Sequence, residues 1–424
     1  MLLEFTVGNY RSFYKKRTLS MIAEALKEEP MGNVAHTGRY NVLKTAAVYG
    51  ANSSGKSNLL IAMQTMCVCV LTSVRLNDNE RLPYEPFLLL KNNHGFTYFE
   101  VVFTLDDSLF RYGFTYDANH IDNEWLFVRG INNDKRTREK MLFVRSEEGI
   151  GVDEVNFPEG IGNESKTNAN RLFLSLCQQL GGNVSKKIMA WFLNGISVIS
   201  GLSNHRYHNY SLGSLHQKDE KSVLMKHFYD KLNLGFKQLN TREDKVRDVE
   251  QVSPELRSML GIINGDKKII LSTEHTLYDD DGKVCGNVDM LFEEHESAGT
   301  QKLLDISGPL FETLQDGTVL IVDELDAKMH PLISQYIISL FNNPDTNPKN
   351  AQLIFSTHDT HLLSLRMLRR DQIWFTEKDS AEQTDLFNMM DIVLPDGSKP
   401  RNDANYEKNY IAGRYGAIPY IVND

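Results

Sequence analysis

The chain has 424 residues, of which 41% are hydrophobic and 24% charged, and its formal net charge is −10. This composition is that of a globular protein, and the length predicts roughly two to three structural units. The acidic balance argues against a general nucleic-acid coat, although a local basic patch would be compatible with it.

The chain lacks the sequence features of an exported or membrane protein. No apolar run approaches the roughly 18 residues that a membrane span needs, and Glu4 interrupts the apolar N-terminal residues where a signal peptide would be apolar. The four cysteines have no C-x-x-C spacing and are too few for a disulfide framework, so we expect free, mostly buried thiols. We therefore expect a cytoplasmic protein with no membrane partner.

The first element is a short strand followed by a turn. Residues 2–7 alternate between apolar and polar side chains, which predicts a strand, and Gly8 then begins a turn that carries Arg11. From the residues alone, Arg11 is a surface arginine that follows a hairpin.

The next element is a P-loop. An apolar run leads into Gly50-x-x-x-x-Gly55-Lys56-Ser57, and a helical pattern follows to about residue 74. Glycines let successive backbone N–H groups face a phosphate, and the helix begins there with its positive end. We expect Lys56 to reach the β- and γ-phosphates of ATP, and the Ser57 hydroxyl to bind Mg²⁺. The predicted ATP-binding set also includes Asn52, Ser53, Ser54, Gly55 and Asn58.

The middle of the chain changes from strand to helix and back. Residues 97–105, 109–116, 124–128 and 140–144 predict strands of a β-rich lobe. From about residue 167 to 257 the spacing is helical, with Leu172, Met189, Phe192 and Ile196 among the apolar positions, and the polar segment 203–217 interrupts it. No heptad pattern persists, which excludes a long coiled-coil arm and predicts a compact helical insertion. Residues 267–292 predict a strand and hairpin.

Two buried strands then deliver polar side chains. Residues 318–322 lead into Asp323 and Glu324, at the strand end where ligands gather in parallel α/β sheets. We expect Asp323 to hold Mg²⁺ through water and Glu324 to polarise the attacking water. The run 351–357 ends at His358, and with His361 this leaves a metal pair as an alternative interpretation.

Four motifs together resemble, in order, the Walker A, signature, Walker B with D-loop, and H-loop motifs of ABC-type ATPases. They are Gly50–Ser57, Glu296–Gln301, Ile321–Asp326 and Ser356–His358. The resemblance implies an α/β fold, namely an ABC-type P-loop head with a mixed or parallel sheet core, a β-rich lobe and a helical insertion.

The same resemblance implies roles for individual residues. His358 would belong to the catalytic site together with Glu324 and Lys56. Ser297, Gly299 and Thr300 would face the γ-phosphate bound to the P-loop of an opposing subunit, so we expect a homo-oligomer with shared ATP sites. The Asn9-Tyr-Arg11-Ser opening is similar to that of SMC and RecF heads, which implies that Arg11 lies near the nucleotide. The family's Q-loop glutamine has no assigned counterpart in residues 80–105.

Finer features are most similar to the stand-alone ATPases of bacterial phage-defence operons, the RloA-, AriA- and OLD-like proteins. These features are the Ser-Ala-Gly-Thr form of the signature, His330-Pro331, and the closing segment 410–419. The resemblance implies an ATPase that senses a phage-derived trigger and controls a separate effector, such as a nuclease, from the same operon. OLD-type members carry a C-terminal Toprim nuclease, but residues 376–424 contain no Asp-x-Asp, so nuclease activity is expected elsewhere.

The expected organisation has four segments: lobe I at 1–165, the helical insertion at 166–262, lobe II at 263–375 and a C-terminal segment at 376–424. The insertion and the segment after Arg370 are the expected partner surfaces, because neither should be needed to build the nucleotide site. Two alternatives remain, a RecF- or SMC-like DNA-repair ATPase and a transporter ATPase subunit, and nucleic acid stays open as a partner. The long insertion and the N-terminal motif do not suit a transport cassette.

Overall fold

The computed structural model describes residues 1–26, 30–93, 95–131, 138–199, 205–245, 262–264, 267–364 and 366–419. The fold is α/β, and the chain forms two compact units. Unit 1 comprises Met1–Val198, Gly317–Asp323 and Ile338–Asp424, and unit 2 comprises Ile199–Asp316 and Glu324–Ile337. The chain thus passes from unit 1 to unit 2 between Asp323 and Glu324. The four expected segments stay a prediction.

Unit 1 contains a seven-stranded antiparallel sheet that confirms the β-rich lobe. Apolar side chains from its strands form much of the hydrophobic core, and Asp106, with φ +50°, allows the two-residue turn between two of the strands. The strands, in pairing order, are β10 (Gly149–Val152), β9 (Lys140–Ser146), β8 (Ile121–Gly130), β7 (Ser108–Tyr116), β6 (Thr97–Leu105), β1 (Leu2–Gly8) and β2 (Arg17–Ser20).

Three helices contribute to the core of unit 1. They are α1 (Lys56–Thr72), α2 (Phe173–Gln179) and α3 (Asn183–Asn194). The fully buried Glu124 carboxylate accepts hydrogen bonds from the backbone N–H of Phe173 (2.7 Å) and Leu174 (3.1 Å) and from the hydroxyl of Tyr112 (2.9 Å). One carboxylate therefore fixes the start of α2 against the sheet.

The second sheet of unit 1 carries the predicted nucleotide motifs. Its central strands are wholly buried, which confirms the strands predicted before Asp323 and His358. All pairings from β16 to β18 are parallel, and the last pairing is antiparallel. The order is β11 (Ile196–Ile199), β16 (Val319–Val322), β17 (Gln352–Ser356), β5 (Thr45–Gly50), β18 (Ile373–Lys378) and β19 (Thr384–Asn388).

This topology corrects one expectation. β18 pairs directly with the P-loop strand β5, with Thr376 opposite Gly50. The segment after Arg370 is therefore part of the sheet that builds the nucleotide site, and the expectation that the site does not need it was wrong. Two further strands and two further helices belong to unit 1, namely β3 (Val34–Thr37), β4 (Tyr40–Leu43), α9 (His361–Ser364) and α10 (Tyr406–Ile411), and α8 (Pro331–Asn342) begins in unit 2 and ends in unit 1.

Unit 2 combines helices with a four-stranded antiparallel sheet. Ser211 Oγ accepts a hydrogen bond from Gly308 N (2.9 Å), and a Cβ at Gly308 would lie 2.5 Å from that oxygen, so glycine permits the close helix contact. The elements are α4 (His205–Gln217), α5 (Glu220–Leu232), β12 (Gln238–Lys245), β13 (Ile262–Asn264), β14 (Lys267–Tyr278), β15 (Val284–Leu291), α6 (Phe292–His295) and α7 (Ala298–Asp316).

The helical region differs from its prediction in three places. Ile196 lies in strand β11 and not in a helix, the polar segment near 205–217 is helix α4 and not an interruption, and residues 238–245 form strand β12. The third difference has a clear physical reason. Strand β12 is hydrogen-bonded along its length to β14, and this pairing overrides the weak helical pattern of its sequence. Residues 246–261, the end of the predicted helical run, lie outside the described residues.

Among the residues that the structure describes, one helix passes the length and hydropathy criteria for a membrane span. It covers Lys56–Arg75, with mean hydropathy 1.6, and the expectation that no apolar run approaches that length was wrong. About half of this window, 56%, is buried within the protein. Because it begins at the P-loop lysine and packs Leu59, Met63 and Val70 inside unit 1, it serves there as a core helix.

Candidate nucleotide site

The P-loop lies between the end of β5 and the start of α1. Lys56 is 6% exposed, and its Nζ donates to the carbonyl oxygens of Gly50 (2.7 Å) and Ala51 (3.0 Å). The loop therefore curls around the ammonium group, and the first helical N–H groups are left at its open end. A concave arrangement of this kind suits a phosphate.

Close contacts leave no room for a side chain at either glycine of the motif. A Cβ at Gly50 would lie 2.5 Å from Ser54 Oγ and from Thr376 O, and one at Gly55 would collide with the Thr384 side chain. Gly55 also has φ +113°, a conformation that side chains rarely adopt. The sequence pattern thus follows from packing as well as from ligand access.

The other loop residues divide by exposure. Asn52 and Ser53 are exposed, and Ser53 has φ +63°. Ser54 is buried, and its hydroxyl is hydrogen-bonded to that of Thr376 (2.6 Å). Ser57 and Asn58 are half-buried in the first turn of α1. Ser57 thus lies in the turn of helix that directly follows the loop, and its role stays a prediction.

Residues from two distant segments brace the P-loop. Thr384 Oγ1 donates to the Ser54 carbonyl (2.8 Å) and is also hydrogen-bonded to Ser12 Oγ (2.8 Å). Asn58 Nδ2 donates to the same Ser12 hydroxyl (2.7 Å), and Thr384 N donates to the Ser12 carbonyl (2.8 Å). The turn after β1 and the strand β19 therefore hold the loop from the side.

Asp323 lies at the carboxyl end of β16. It is 9% exposed and accepts a hydrogen bond from Ser356 Oγ (2.5 Å) at the end of the neighbouring strand β17. The Asp323 carboxylate and the Ser57 hydroxyl are oxygen donors, the ligand type that Mg²⁺ prefers, so the residues present in unit 1 fit this ion. Glu324 is exposed, has φ +50°, and begins a turn of unit 2.

The signature residues form the start of α7. Ser297 is exposed, and its Oγ accepts a hydrogen bond from Thr300 N (3.2 Å), so it caps the helix. Thr300 is buried, and Gly299 has no room for a side chain because its Cβ would collide with the Lys328 carbonyl. The exposed part of the motif is thus Ser297 with the backbone beside it.

Arg11 and His358 also belong to unit 1. Arg11 Nε donates to Glu85 Oε2 (2.8 Å), and Arg11 N donates to the Glu85 carbonyl (2.7 Å). His358 is exposed after β17, and His361 Nδ1 lies 3.2 Å from Glu407 Oε1. Within the described part of the chain no group of three or more His, Cys, Asp or Glu could hold a metal, so the alternative of a histidine metal pair has no ligand set there.

Arg11, the P-loop, Asp323 and His358 therefore all belong to unit 1, whereas Glu324 and the signature belong to unit 2. Sequence reasoning missed Ser12, Thr376 and Thr384, which support the P-loop. Thr376 carried a usable signal, since it ends an apolar run at 373–375 much as Ser356 ends another. Thr384 carried none, because a hydroxyl residue in a polar stretch fits many structures.

Comparison with known protein families shows the family of this chain. The family described as "AAA domain, putative AbiEii toxin, Type IV TA system" matches residues 46–364, which is well over half of the chain. No curated protein sequence matches.

Two solved structures of the recombination mediator protein RecF in the RecFOR pathway resemble the fold weakly. The RecF structure with ATPrS is 11% identical in sequence and has a TM-score of 0.32. The match covers 91% of this chain and 98% of the RecF chain. The RecF structure with ATP is 12% identical in sequence and has a TM-score of 0.33. The match covers 91% of this chain and 97% of the RecF chain. A likeness at this level is no basis for assigning function.

Proposed function

Because the chain belongs to the AAA-domain ATPase family, we propose that it is a cytoplasmic, Mg²⁺-dependent ATPase of ABC type that acts in bacterial anti-phage defence and controls a separate effector. The observation that carries the ATPase proposal is the P-loop folded around Lys56, in the same unit as the Asp323–Ser356 pair. The family description names a toxin of a type IV toxin–antitoxin system, and this supports a role in defence.

The residues of unit 1 suit binding of a triphosphate. On binding, Lys56 would exchange its contacts with the Gly50 and Ala51 carbonyls for phosphate oxygens, at the positive end of α1. Mg²⁺ would be held by the Ser57 hydroxyl and, through water, by Asp323, and would supply positive charge at the phosphate oxygens. Glu324 would polarise the attacking water, and His358 would contact the γ-phosphate.

A homo-oligomer with shared sites is part of the proposal. Ser297 is exposed at the start of α7, so it is accessible to a second subunit. In ABC-type heads this element closes on the nucleotide of the opposing P-loop, which gives two discrete states, closed with ATP and open after its hydrolysis. An effector that binds one state better would be held or released as ATP turns over.

The described surface of unit 2 is the proposed effector contact. Its helices α4 and α5 and the exposed β14–β15 hairpin contain no P-loop or Asp323 residue. The segment after Arg370 is now a weaker candidate, because part of it braces the P-loop.

The test is to purify the protein with the product of the neighbouring gene. Wild type and Glu324→Gln are compared by size-exclusion chromatography with ATP, with and without lysate of phage-infected cells. We expect the neighbour to co-elute with ATP-loaded Glu324→Gln and to be released from it by the infected-cell lysate. Failure to co-elute in every nucleotide state contradicts effector control, and ATPase activity stimulated by duplex DNA would favour a repair ATPase instead.

A further inference from the structure

The first turn of α7 contacts the turn that begins at Glu324, both within unit 2. Lys302 is buried, at 8% exposure, and its Nζ donates to the Glu324 carbonyl oxygen at 2.6 Å. One turn earlier, Gly299 lies so close to the Lys328 carbonyl that a Cβ would not fit. The signature helix and the 324–328 turn are therefore packed backbone to backbone, with a lysine joining them.

The bond acts on a residue in an uncommon backbone conformation. Glu324 has φ +50°, and a non-glycine residue stays in this region only where its surroundings determine it. Its carbonyl also accepts a hydrogen bond from Ala327 N (3.1 Å), which closes the turn. A hydrogen bond from a charged donor is shorter and stronger than a neutral one, so Lys302 fixes the direction of this carbonyl.

The carbonyl carbon is bonded to the Cα that bears the side chain, so a held carbonyl restrains the backbone from which the Glu324 side chain extends. We propose that Lys302 is a positioning residue, which holds the Glu324 carboxylate in the orientation needed to polarise water and ties it to the helix that bears Ser297. This inference rests on the proposed ATPase function and deepens it. A shift of the signature helix on meeting nucleotide would then move Glu324 directly, so hydrolysis at one site would depend on contacts made by α7.

The test is steady-state ATP hydrolysis by Lys302→Met, which keeps the aliphatic stem and removes the charged donor. We expect kcat to fall by ~10-fold to ~100-fold, since a misplacement of about 1 Å can cost ~100-fold, while KM and ATP affinity change by less than about 2-fold. Lys302→Arg should recover most of kcat, because it restores a charged donor. If Lys302→Met does not purify as a folded protein, Lys302→Gln replaces it with the same expected result.

Lys221→Met is the matched control. Lys221 belongs to the same unit, its side chain is 13% exposed, and its Nζ donates to the Tyr210 hydroxyl (2.8 Å). The Lys221→Met variant removes the same charge from a similarly buried position on α5, so the kcat of this variant should equal that of wild type. An equal loss in both variants would mean general damage to unit 2 and overturn the inference.

A second readout separates positioning from stability. In a Glu324→Gln background the carboxylate is gone, so adding Lys302→Met should lower kcat little further. A full additional loss there, or wild-type kcat in Lys302→Met alone, overturns the role of Lys302 while leaving the ATPase proposal intact. Absence of ATP hydrolysis by the wild-type protein overturns both.

Discussion

Lys56 shows how a single residue can link the fold of a loop to its ligand. Its ammonium is held by the carbonyls of Gly50 and Ala51. A triphosphate offers anionic oxygens, which attract the ammonium more strongly than neutral carbonyl oxygens do. The P-loop therefore holds the ammonium where phosphate oxygens could take the place of these two carbonyls.

We expect Lys56→Ala to abolish measurable ATP binding. Hydrogen bonds to charged groups contribute about 1.5–3 kcal/mol each, so loss of two phosphate contacts should weaken affinity by ~100-fold or more. Isothermal titration calorimetry measures this directly. Lys16→Ala is the control, because Lys16 lies over the Tyr98 ring elsewhere in unit 1 and should not affect affinity. Near-normal affinity in Lys56→Ala would contradict the P-loop assignment.

At the scale of elements, β19 has a role that its sequence does not indicate. Its first residue, Thr384, is 2% exposed and contacts both the P-loop carbonyl of Ser54 and the Ser12 hydroxyl. This brace joins the C-terminal part of the chain to the loop.

Thr384→Val should weaken this brace, because valine keeps the shape of the threonine side chain but lacks its hydroxyl. The buried Ser54 carbonyl loses its donor, which costs about 1–3 kcal/mol in the free energy of unfolding. We expect a lower Tm in differential scanning calorimetry together with weaker ATP binding. Thr384→Ser keeps the hydroxyl and should behave as wild type. Equal Tm and affinity for the valine and serine variants would show that the hydroxyl is dispensable.

In unit 2, His208 joins helix α4 to α7 and α6. Its Nδ1 lies 3.0 Å from Asp305 Oδ1, and its Nε2 lies 3.7 Å from Glu293 Oε1. Hydrogen bonds to Asp305 and Glu293 raise the pKa of His208 to about 9, although burial opposes this shift. The protonated imidazole is therefore the form that the folded unit binds best.

This predicts stability that declines in mildly alkaline solution. Because the folded pKa is raised above the unfolded value of about 6.5, the contribution is complete below about pH 6.5 and is lost as pH rises to about 9. Urea unfolding followed by circular dichroism at pH 6.5, 8 and 9 should show this decline. His208→Gln should be less stable than wild type at pH 6.5 and nearly equal at pH 9. Parallel pH profiles for the two proteins would contradict the assignment.

The sequence predicted those parts of the site that follow from local chemistry. Buried strands before Asp323 and His358 were confirmed because apolar runs bounded by polar residues have few other structures. The helical spacing near residues 238–245 gave a wrong prediction, because pairing with β14 makes that segment a strand. The contacts of Thr384 and Lys302 could not be predicted from the sequence. Thr384 contacts Ser54, which is distant in sequence, and Lys302 contacts a carbonyl whose position depends on a backbone turn.

At the scale of the whole molecule, the residues predicted to serve the nucleotide belong to both units. The P-loop and Asp323 lie in unit 1, and Ser297 lies in unit 2. If Ser297 serves the nucleotide of another subunit, the two halves of one site come from different chains. Ser297→Arg would then keep ATP binding at its own P-loop but block closure and hydrolysis. The change also removes the helix cap to Thr300, a cost of about 1 kcal/mol, so Ser297→Ala provides the stability baseline.

Mixing two inactive variants tests this sharing. Lys56→Ala has an intact signature, and Ser297→Arg has an intact P-loop, so neither homodimer contains a complete site. In an equal mixture that exchanges subunits, half of the dimers pair one of each and carry one complete site out of two. Because the two sites of a two-fold dimer are equivalent, we expect about a quarter of the wild-type rate to return. A mixture that stays inactive after demonstrated subunit exchange, or a dilute monomer that hydrolyses ATP at full rate, would place the whole site within one chain.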